Sequence, residues 1–126
     1  MRVTKSISKL VLGVVAATTM YAGTGHAELK TQGEGKAQTL VRSQFSAALQ
    51  PAYDTFASHC TKCHEMARPI SALRTGITPI SGGQFDAKGI RDYVVKMMRK
   101  PNSGITKDDA KDIIEFLRQA RDLAAK

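Results

Sequence analysis

The stretch Cys60-Thr61-Lys62-Cys63-His64 decides how this chain must fold. It uses both cysteines of the protein and places a histidine directly after the second. The C-x-x-C-H spacing is typical of covalent attachment of a c-type haem. Two thiols this close in sequence can add to the two vinyl groups on one edge of a porphyrin, and the adjacent imidazole can then bind the iron. The motif therefore predicts one haem c attached through Cys60 and Cys63, with His64 as the proximal axial ligand.

Other uses of a C-x-x-C pair suit this sequence less well. A thioredoxin-like dithiol follows a strand in a strand-helix unit, and no β-rich run precedes Cys60. A tetrahedral zinc site needs four ligands. Near the motif the sequence adds only His59, since His26 falls in a segment that is expected to be removed. A disulfide across two intervening residues would constrain the unfolded chain very little.

Residues 1–27 have the pattern of a secretory signal peptide. Basic residues come first, and an apolar run from Leu10 to Ala17 follows. Gly25-His26-Ala27 then supplies the small residues that a signal peptidase recognises. The run is short for a transmembrane helix, although an uncleaved membrane anchor is the alternative interpretation. We therefore expect export to the periplasm and cleavage after Ala27.

The remaining residues 28–126 are enough for one small domain. They hold sixteen basic and eleven acidic residues, a net charge of +5. We divide them into an N-terminal extension, residues 28–51, made of a flexible leader and a helix, and a haem domain, residues 52–126. A bare core of this size would be marginal, so we expect poor folding without the prosthetic group. Nucleic acid is not an expected partner of an exported haem protein with few aromatic residues.

Apolar spacing predicts helices on both sides of the motif. The pattern indicates a helix from Ala37 to Gln50 ended by Pro51, and a second from Ala52 to Cys60. Met66 to Gln84 contains several Pro and Gly breaks and is predicted to be a long loop around the haem. A backbone carbonyl near Pro69 or Pro79 would accept the second ring N–H of His64.

Two further helices are predicted after this loop. Asp86 is the expected N-cap of a helix from Ala87 to Lys100. Thr106 and Asp109 suit a capping box for the last helix, which runs to about Ala124. The apolar face of that helix is expected to pack against the helix before the motif. Its residues are Ile113, Phe116, Leu117 and Ala120, and their expected partners are Tyr53 and Phe56.

The order of these features resembles the small bacterial class I cytochromes c. Residues 93–106, Tyr-Val-Val-Lys-Met-Met-Arg-Lys-Pro-Asn-Ser-Gly-Ile-Thr, resemble the segment that supplies the distal methionine in a bacterial subgroup. The resemblance covers Ala52 to Leu123 and implies an all-α domain of three or four helices around one covalently bound haem. Two features depart from it. The methionine-bearing helix lacks the common tryptophan, whose place Tyr93 would take, and the segment before Cys60 is longer than the fold needs.

The distal ligand is expected to be a methionine, because His59, the other candidate, directly precedes Cys60 and is expected on the surface. Two of the five methionines fall in the signal segment, and Met66 lies only two positions after His64, which leaves Met97 and Met98. Met97 shares the apolar stripe of its helix and so has a core role as its simplest interpretation. Met98 lies off that stripe and three residues before Pro101, as in the resembling segment. Helix phase and this resemblance together favour Met98 as distal ligand, with Met97 as the alternative.

The ligand set favours electron transfer over catalysis. With a His and a Met on the iron no position is open, and thioether ligation raises the potential. We therefore expect a periplasmic one-electron carrier, not an enzyme. A haem subunit of a periplasmic dehydrogenase or a membrane-bound photosynthetic reaction centre, docked by the extension, is one alternative. An open-site gas-binding or peroxidase-like protein is the other. Basic residues expected near the haem would attract an acidic redox partner: Lys62, Arg68, Arg74, Lys88, Lys96, Arg99 and Lys100.

Overall fold

The chain is mostly helical. A computed structural model describes residues 28–126, so the expected signal peptide lies outside the described residues. A two-stranded antiparallel ribbon pairs Thr31 with Leu40, and four helices follow it. Within residues 28–126, every helix is too short or too polar to cross a membrane. The elements are β1 (Thr31–Gln32), β2 (Thr39–Leu40), α1 (Gln50–Cys60), α2 (Ala67–Thr75), α3 (Ala87–Met98) and α4 (Lys107–Ala124), with 3-10 turns at Gly35–Ala37 and Arg42–Gln44.

The core forms where α4 packs against α1. The ring centroid of Phe116 lies 4.8 Å from that of Phe56 and 5.4 Å from that of Tyr53. Phe45 completes the cluster with its ring edge-on to Phe116 at 4.9 Å. Aromatic pairs in such arrangements contribute about 0.5–1.5 kcal/mol each beyond the area that they bury. The predicted packing of the last helix against the helix before the motif is therefore confirmed.

The predicted caps of α3 and α4 are also confirmed. The carboxylate of Asp86 accepts a hydrogen bond from the Gly89 backbone N–H at 2.8 Å. Asp109 N–H donates to the Thr106 hydroxyl at 3.1 Å, and Thr106 N–H donates to the Asp109 carboxylate at 2.9 Å. These bonds satisfy N–H groups that the first turn of a helix leaves without partners. α3 ends at Met98, two residues before the expected end at Lys100.

The predicted helix from Ala37 to Gln50 is wrong. Pro51 lies in the first turn of α1, which begins at Gln50. Because the first helical N–H groups need no partner within the helix, a proline there starts the helix and does not end the preceding one. The apolar residues Leu40 and Leu49 are buried as expected, but Leu40 lies in β2 and Leu49 in the turn just before α1.

The N-terminal extension is also not a flexible leader, because it is tied to the helices. The Tyr53 hydroxyl donates to the Leu40 carbonyl at 3.0 Å, and Leu40 is fully buried. Arg42 donates to both carboxylate oxygens of Asp54, at 2.8 and 2.7 Å. The Arg74 guanidinium, on α2, donates to the Leu29 carbonyl at 3.0 Å. Residues 28–51 therefore belong to the folded domain.

The predicted loop from Met66 to Gln84 contains a helix. α2 occupies Ala67–Thr75, and Pro69 is its third residue, where a missing N–H costs nothing. Ile70 and Leu73 on this helix are buried at 2% and 0% exposure. Gly76 ends α2 with a φ of 74°, a left-handed conformation that glycine adopts without a steric penalty. The irregular segment is therefore shorter than predicted and begins after Gly76.

Replacing Gly76 by alanine should destabilise the fold more than the same change at Gly82. Both glycines have positive φ, 74° and 64°, where a Cβ costs about 1–2 kcal/mol. At Gly76 the new Cβ would also lie 2.5 Å from the Arg121 guanidinium, whereas Gly82 faces open space. Arg121 would then have to give up its 3.1 Å hydrogen bond to the Leu73 carbonyl, a further loss of about 1 kcal/mol. Urea unfolding of Gly76→Ala and Gly82→Ala measures the free energy of unfolding of each variant. Equal decreases in the two variants would contradict the predicted clash with Arg121.

Candidate functional site

The C-x-x-C-H motif lies at the carboxyl end of α1. Cys60 is the last residue of the helix and is partly buried against the core, whereas Cys63 is exposed in the following turn. Both thiols are free. Burial, with a smaller contribution from Cys63, raises the pKa of the Cys60 thiol to about 12. Packing of α1 on α4 therefore fixes the position of Cys60, the first residue of the motif.

A cavity of about 860 Å³ opens beside the motif. Cys63 and His64 lie on one side of it, and α3 contributes Tyr93 and Met97. The irregular segment after α2 forms the remaining edge, where Ile80 lines the cavity. This volume falls within the range of cofactor and ligand sites, about 300–1,000 Å³. The cavity therefore brings one of the two predicted thiols, that of Cys63, and the imidazole together with a thioether from a different helix, whereas Cys60 does not line it.

The His64 ring is held at both nitrogens. Its Nδ1 lies 3.3 Å from the Glu65 carbonyl oxygen, and its Nε2 lies 3.4 Å from the Tyr93 hydroxyl. The prediction that a carbonyl near Pro69 or Pro79 would meet this ring is wrong, because the adjacent residue already supplies one. With its proton on Nδ1, facing this carbonyl, the ring would accept the Tyr93 hydroxyl at Nε2, and a ligand bound at Nε2 would replace that hydroxyl. His64 is thus oriented with its Nε2 toward α3.

Tyr93 is the α3 residue that meets His64. Its ring packs edge-on against Phe85, with centroids 5.7 Å apart. Burial, with a smaller contribution from Cys60, raises the pKa of the Tyr93 phenol to about 12. The phenol therefore stays neutral at ordinary pH and can donate a hydrogen bond into the cavity.

The two candidate methionines lie on different sides of α3. Met97 lines the cavity, whereas Met98 packs against the hydrophobic core. Successive helical residues turn by about 100°, and the cavity lies on the Tyr93 side of the buried stripe formed by Ile90 and Val94. Met97 borders that side, and Met98 lies on the opposite one. The sequence-based preference for Met98 is therefore not supported by this geometry, which favours Met97.

Other candidate residues near the motif have structural roles. Met66 is 2% exposed and belongs to the core. His59, expected on the surface, has a side chain only 14% exposed, with Nε2 3.4 Å from the Asp109 carboxylate. Its buried Nδ1 has no hydrogen-bond partner among the described residues. His59 therefore connects the last turn of α1 to the capping box of α4.

Sequence reasoning placed the segment after α2 around the haem, and this segment does line the cavity, but it missed the tight turn that orders the segment. Ile77 and Gln84 form an antiparallel bridge, and Thr78 N–H donates to the Gly83 carbonyl at 2.9 Å. Gly89, in the first turn of α3, allows the Gln84 backbone to lie against that helix, because a Cβ there would collide with it. The pairing of Thr78-Pro79 with Ser81-Gly82-Gly83 was the available signal for a tight turn.

Of the seven basic residues expected near the haem, four line the cavity, and Lys62, Arg74 and Arg99 do not. Arg68, Lys88, Lys96 and Lys100 line it. Arg74 instead binds the N-terminal extension, as described above. The cavity also has two acidic lining residues, Asp86 and Asp92. Its rim is therefore more basic than acidic.

Comparisons with known proteins do not assign this chain to a family. No family model matches it, and neither a curated protein nor a solved structure is significantly similar to it. Within residues 28–126, no group of three or more His, Cys, Asp or Glu side chains is arranged to hold a bare metal ion. The site must therefore be interpreted from its own residues.

Asp109 should make the stability of the domain depend on pH. Hydrogen bonds from Thr106, aided by His59 and Lys62, hold the pKa of Asp109 below the ordinary value of 3.8. A carboxyl with a lowered folded-state pKa stabilises the fold above its unfolded pKa, and this contribution is lost as the pH falls through the folded value. Asp109→Asn should thus lower the urea midpoint at pH 7, and the gap to wild type should narrow below about pH 4.

The control for this measurement is Asp108→Asn. Asp108 is 90% exposed and contacts only Lys111 among its described ion pairs, so its replacement removes the same charge without touching the capping box. If the urea midpoint of Asp109→Asn is lowered by the same amount at every pH, or if both variants are lowered equally, the proposed stabilising role of the Asp109 carboxylate is contradicted.

Proposed function

We propose that this chain binds one haem c covalently and acts as a one-electron carrier in the bacterial periplasm, not as an enzyme. The observation that carries the proposal is the C-x-x-C-H motif, whose Cys63 and His64 share one cavity of about 860 Å³ with Tyr93 and Met97. The proposed location rests on the signal-like pattern of residues 1–27. We also propose that the four helices adopt a cytochrome c-like arrangement around the haem.

The residues present fit this group. Cys60 and Cys63 are free thiols at the spacing that thioether attachment requires. His64 offers Nε2 as an iron ligand, while its Nδ1 lies against the Glu65 carbonyl. This arrangement orients the ring. A haem held there would supply reversible one-electron chemistry between ferric and ferrous iron.

Met97 is the distal ligand that the geometry supports. It lines the same cavity as His64, whereas Met98 is packed on the core. Recruiting Met98 would require α3 to rotate about its axis and lose the burial of Ile90 and Val94, which are 1% and 2% exposed. Burying such side chains contributes about 1.5–3 kcal/mol each, so the rotation is strongly disfavoured.

The proposed ligand set favours electron transfer over the two alternative functions. A thioether bound to the iron would leave no position for oxygen or peroxide, which disfavours the gas-binding or peroxidase-like alternative. The other alternative, a haem subunit of a larger complex, assumed that the N-terminal extension docks on a partner. In this structure the extension is instead bound to the helices of its own domain, by hydrogen bonds from Tyr53 to the Leu40 carbonyl and from Arg74 to the Leu29 carbonyl. The proposed partners are small redox proteins, with short-lived contacts.

The pair Met97→Leu and Met98→Leu tests the ligand set. The exported protein should be made in a host that matures c-type cytochromes, and its mass should include one haem. We expect the far-red sulfur-to-iron band of the ferric protein to disappear in Met97→Leu and to remain in Met98→Leu. Met98→Leu is the matched control, because a leucine suits its core position and costs less than about 1.5 kcal/mol.

Three outcomes would count against the proposal. A colourless protein of apoprotein mass would overturn it entirely. Loss of the band only in Met98→Leu would restore Met98 as the ligand and contradict the placement of α3. Carbon monoxide binding to the reduced wild-type protein would indicate an open sixth position and favour the gas-binding alternative.

A further inference from the structure

The two thiols of the motif have different surroundings. Cys63 is exposed in the turn after α1 and lines the cavity together with His64. Cys60, the last residue of α1, is partly buried and packs against the hydrophobic core. Burial and, to a smaller extent, Cys60 raise the pKa of the Tyr93 phenol, which lines the cavity, so Cys60 lies close to the cavity without lining it. The two sulfurs are therefore not equally open to a reagent that enters the cavity.

The hydrophobic core, and not the cavity, holds Cys60 in place. Phe56 lies one helical turn before Cys60, and its buried ring packs against that of Phe116. Phe45, from the N-terminal extension, packs edge-on against the same ring of Phe116. These three phenylalanines do not line the cavity. The burial of Cys60 therefore does not require a group in the cavity.

A hydrogen bond closes the last turn of α1. The Thr61 hydroxyl donates to the Ala57 carbonyl at 2.7 Å, and Ala57, like Cys60, packs against the core. The end of a helix can open locally without unfolding of the whole domain, and contacts of this kind set the free energy of the opening. A reagent reaches Cys60 when this turn opens, whereas Cys63 is exposed while the turn is closed.

Thiol reactivity follows this difference in exposure. The thiolate is the nucleophile, and a thiol that is buried in apolar surroundings is both less accessible and less ionised. Burial, with a smaller contribution from Cys63, raises the pKa of the Cys60 thiol to about 12, which acts in the same direction as its position. Cys60 is thus unreactive while α1 keeps its last turn.

We propose that the two thiols react in a fixed order, Cys63 first and Cys60 only after the last turn of α1 has opened. The order itself follows from burial and does not need the proposed function. Its application to haem attachment rests on that function, and it assigns the first covalent bond to Cys63.

The two additions of this attachment are the same reaction. The Cys63 S–H adds across a vinyl group: a C–S bond forms, the hydrogen goes to the neighbouring carbon, and the double bond becomes single. The Cys60 S–H then adds to the second vinyl group in the same way, so neither step needs an oxidant. Because the first bond makes the second addition intramolecular, a thiol that is rarely exposed still reacts.

Alkylation of the haem-free chain tests the order directly. The chain is exported from a host that lacks cytochrome maturation, reduced, and mixed with iodoacetamide for increasing times. Trypsin cleaves after Lys62, so Cys60 and Cys63 fall in separate peptides whose masses report each label. We expect Cys63 to be labelled at least roughly tenfold faster than Cys60, and the two rates to become similar in concentrated urea.

Thr61→Val tests the role of the last turn, because it removes the hydroxyl and keeps the shape of the side chain. It should speed the labelling of Cys60 severalfold and leave that of Cys63 unchanged. Thr75→Val is the matched control. The Thr75 hydroxyl donates to the Ser71 carbonyl at 2.8 Å at the end of α2, so its loss should change the labelling of neither cysteine.

Single cysteine replacements test the haem step. In a host that matures c-type cytochromes, Cys60→Ala should keep most of its covalent haem through Cys63, and Cys63→Ala should lose most of it. The readouts are haem staining after denaturing electrophoresis and the mass of the intact chain. Neither readout depends on electron transfer.

Equal labelling of the two cysteines without urea, faster labelling of Cys60, or an unchanged Cys60 rate in Thr61→Val would overturn the proposed order. At least as much covalent haem on Cys63→Ala as on Cys60→Ala would overturn its application to haem attachment. A colourless wild-type protein would refute the proposed function, and the labelling rates would still decide the order of the thiols.

Discussion

The contact between α1 and α4 is the interaction on which the rest of the structure depends. Phe116 meets Phe56 and Tyr53, and this packing fixes the axis of α1 and the position of its last residue, Cys60. His59 and Asp109 join the same two helices at the neighbouring end. Because the motif follows α1 without a break, the position of the thiols and of the imidazole is determined by an aromatic core far more than by the turn itself.

α3 turns this fixed motif into a site, because its two sides have different functions. One side buries Ile90 and Val94 in the core, and the other presents Tyr93 and Met97 to the cavity. The burial sets the rotation of the helix, and the rotation determines which of the two adjacent methionines lines the cavity. Apolar packing on one side of the helix thus decides which sulfur is available on the other side.

Local chemistry made part of this structure predictable from the sequence. The caps at Asp86 and Thr106 and the apolar face of α4 use short-range rules, and all were predicted. The prolines were misinterpreted, because Pro51 and Pro69 both occupy first turns, where a proline favours a helix. The phase of α3 relative to the cavity could not be derived in advance, since it depends on which side α2 and its loop approach.

The N-terminal extension explains how so small a domain can keep an open cavity. A domain of this size buries a modest fraction of its surface, and a cavity beside the motif removes packing that the core would otherwise have. Leu29, Leu40 and Phe45 compensate by adding buried apolar surface to the core, at 1%, 0% and 5% exposure. The residues that seemed surplus to the fold therefore stabilise it. They hold α1 in place by contacts that do not involve the site.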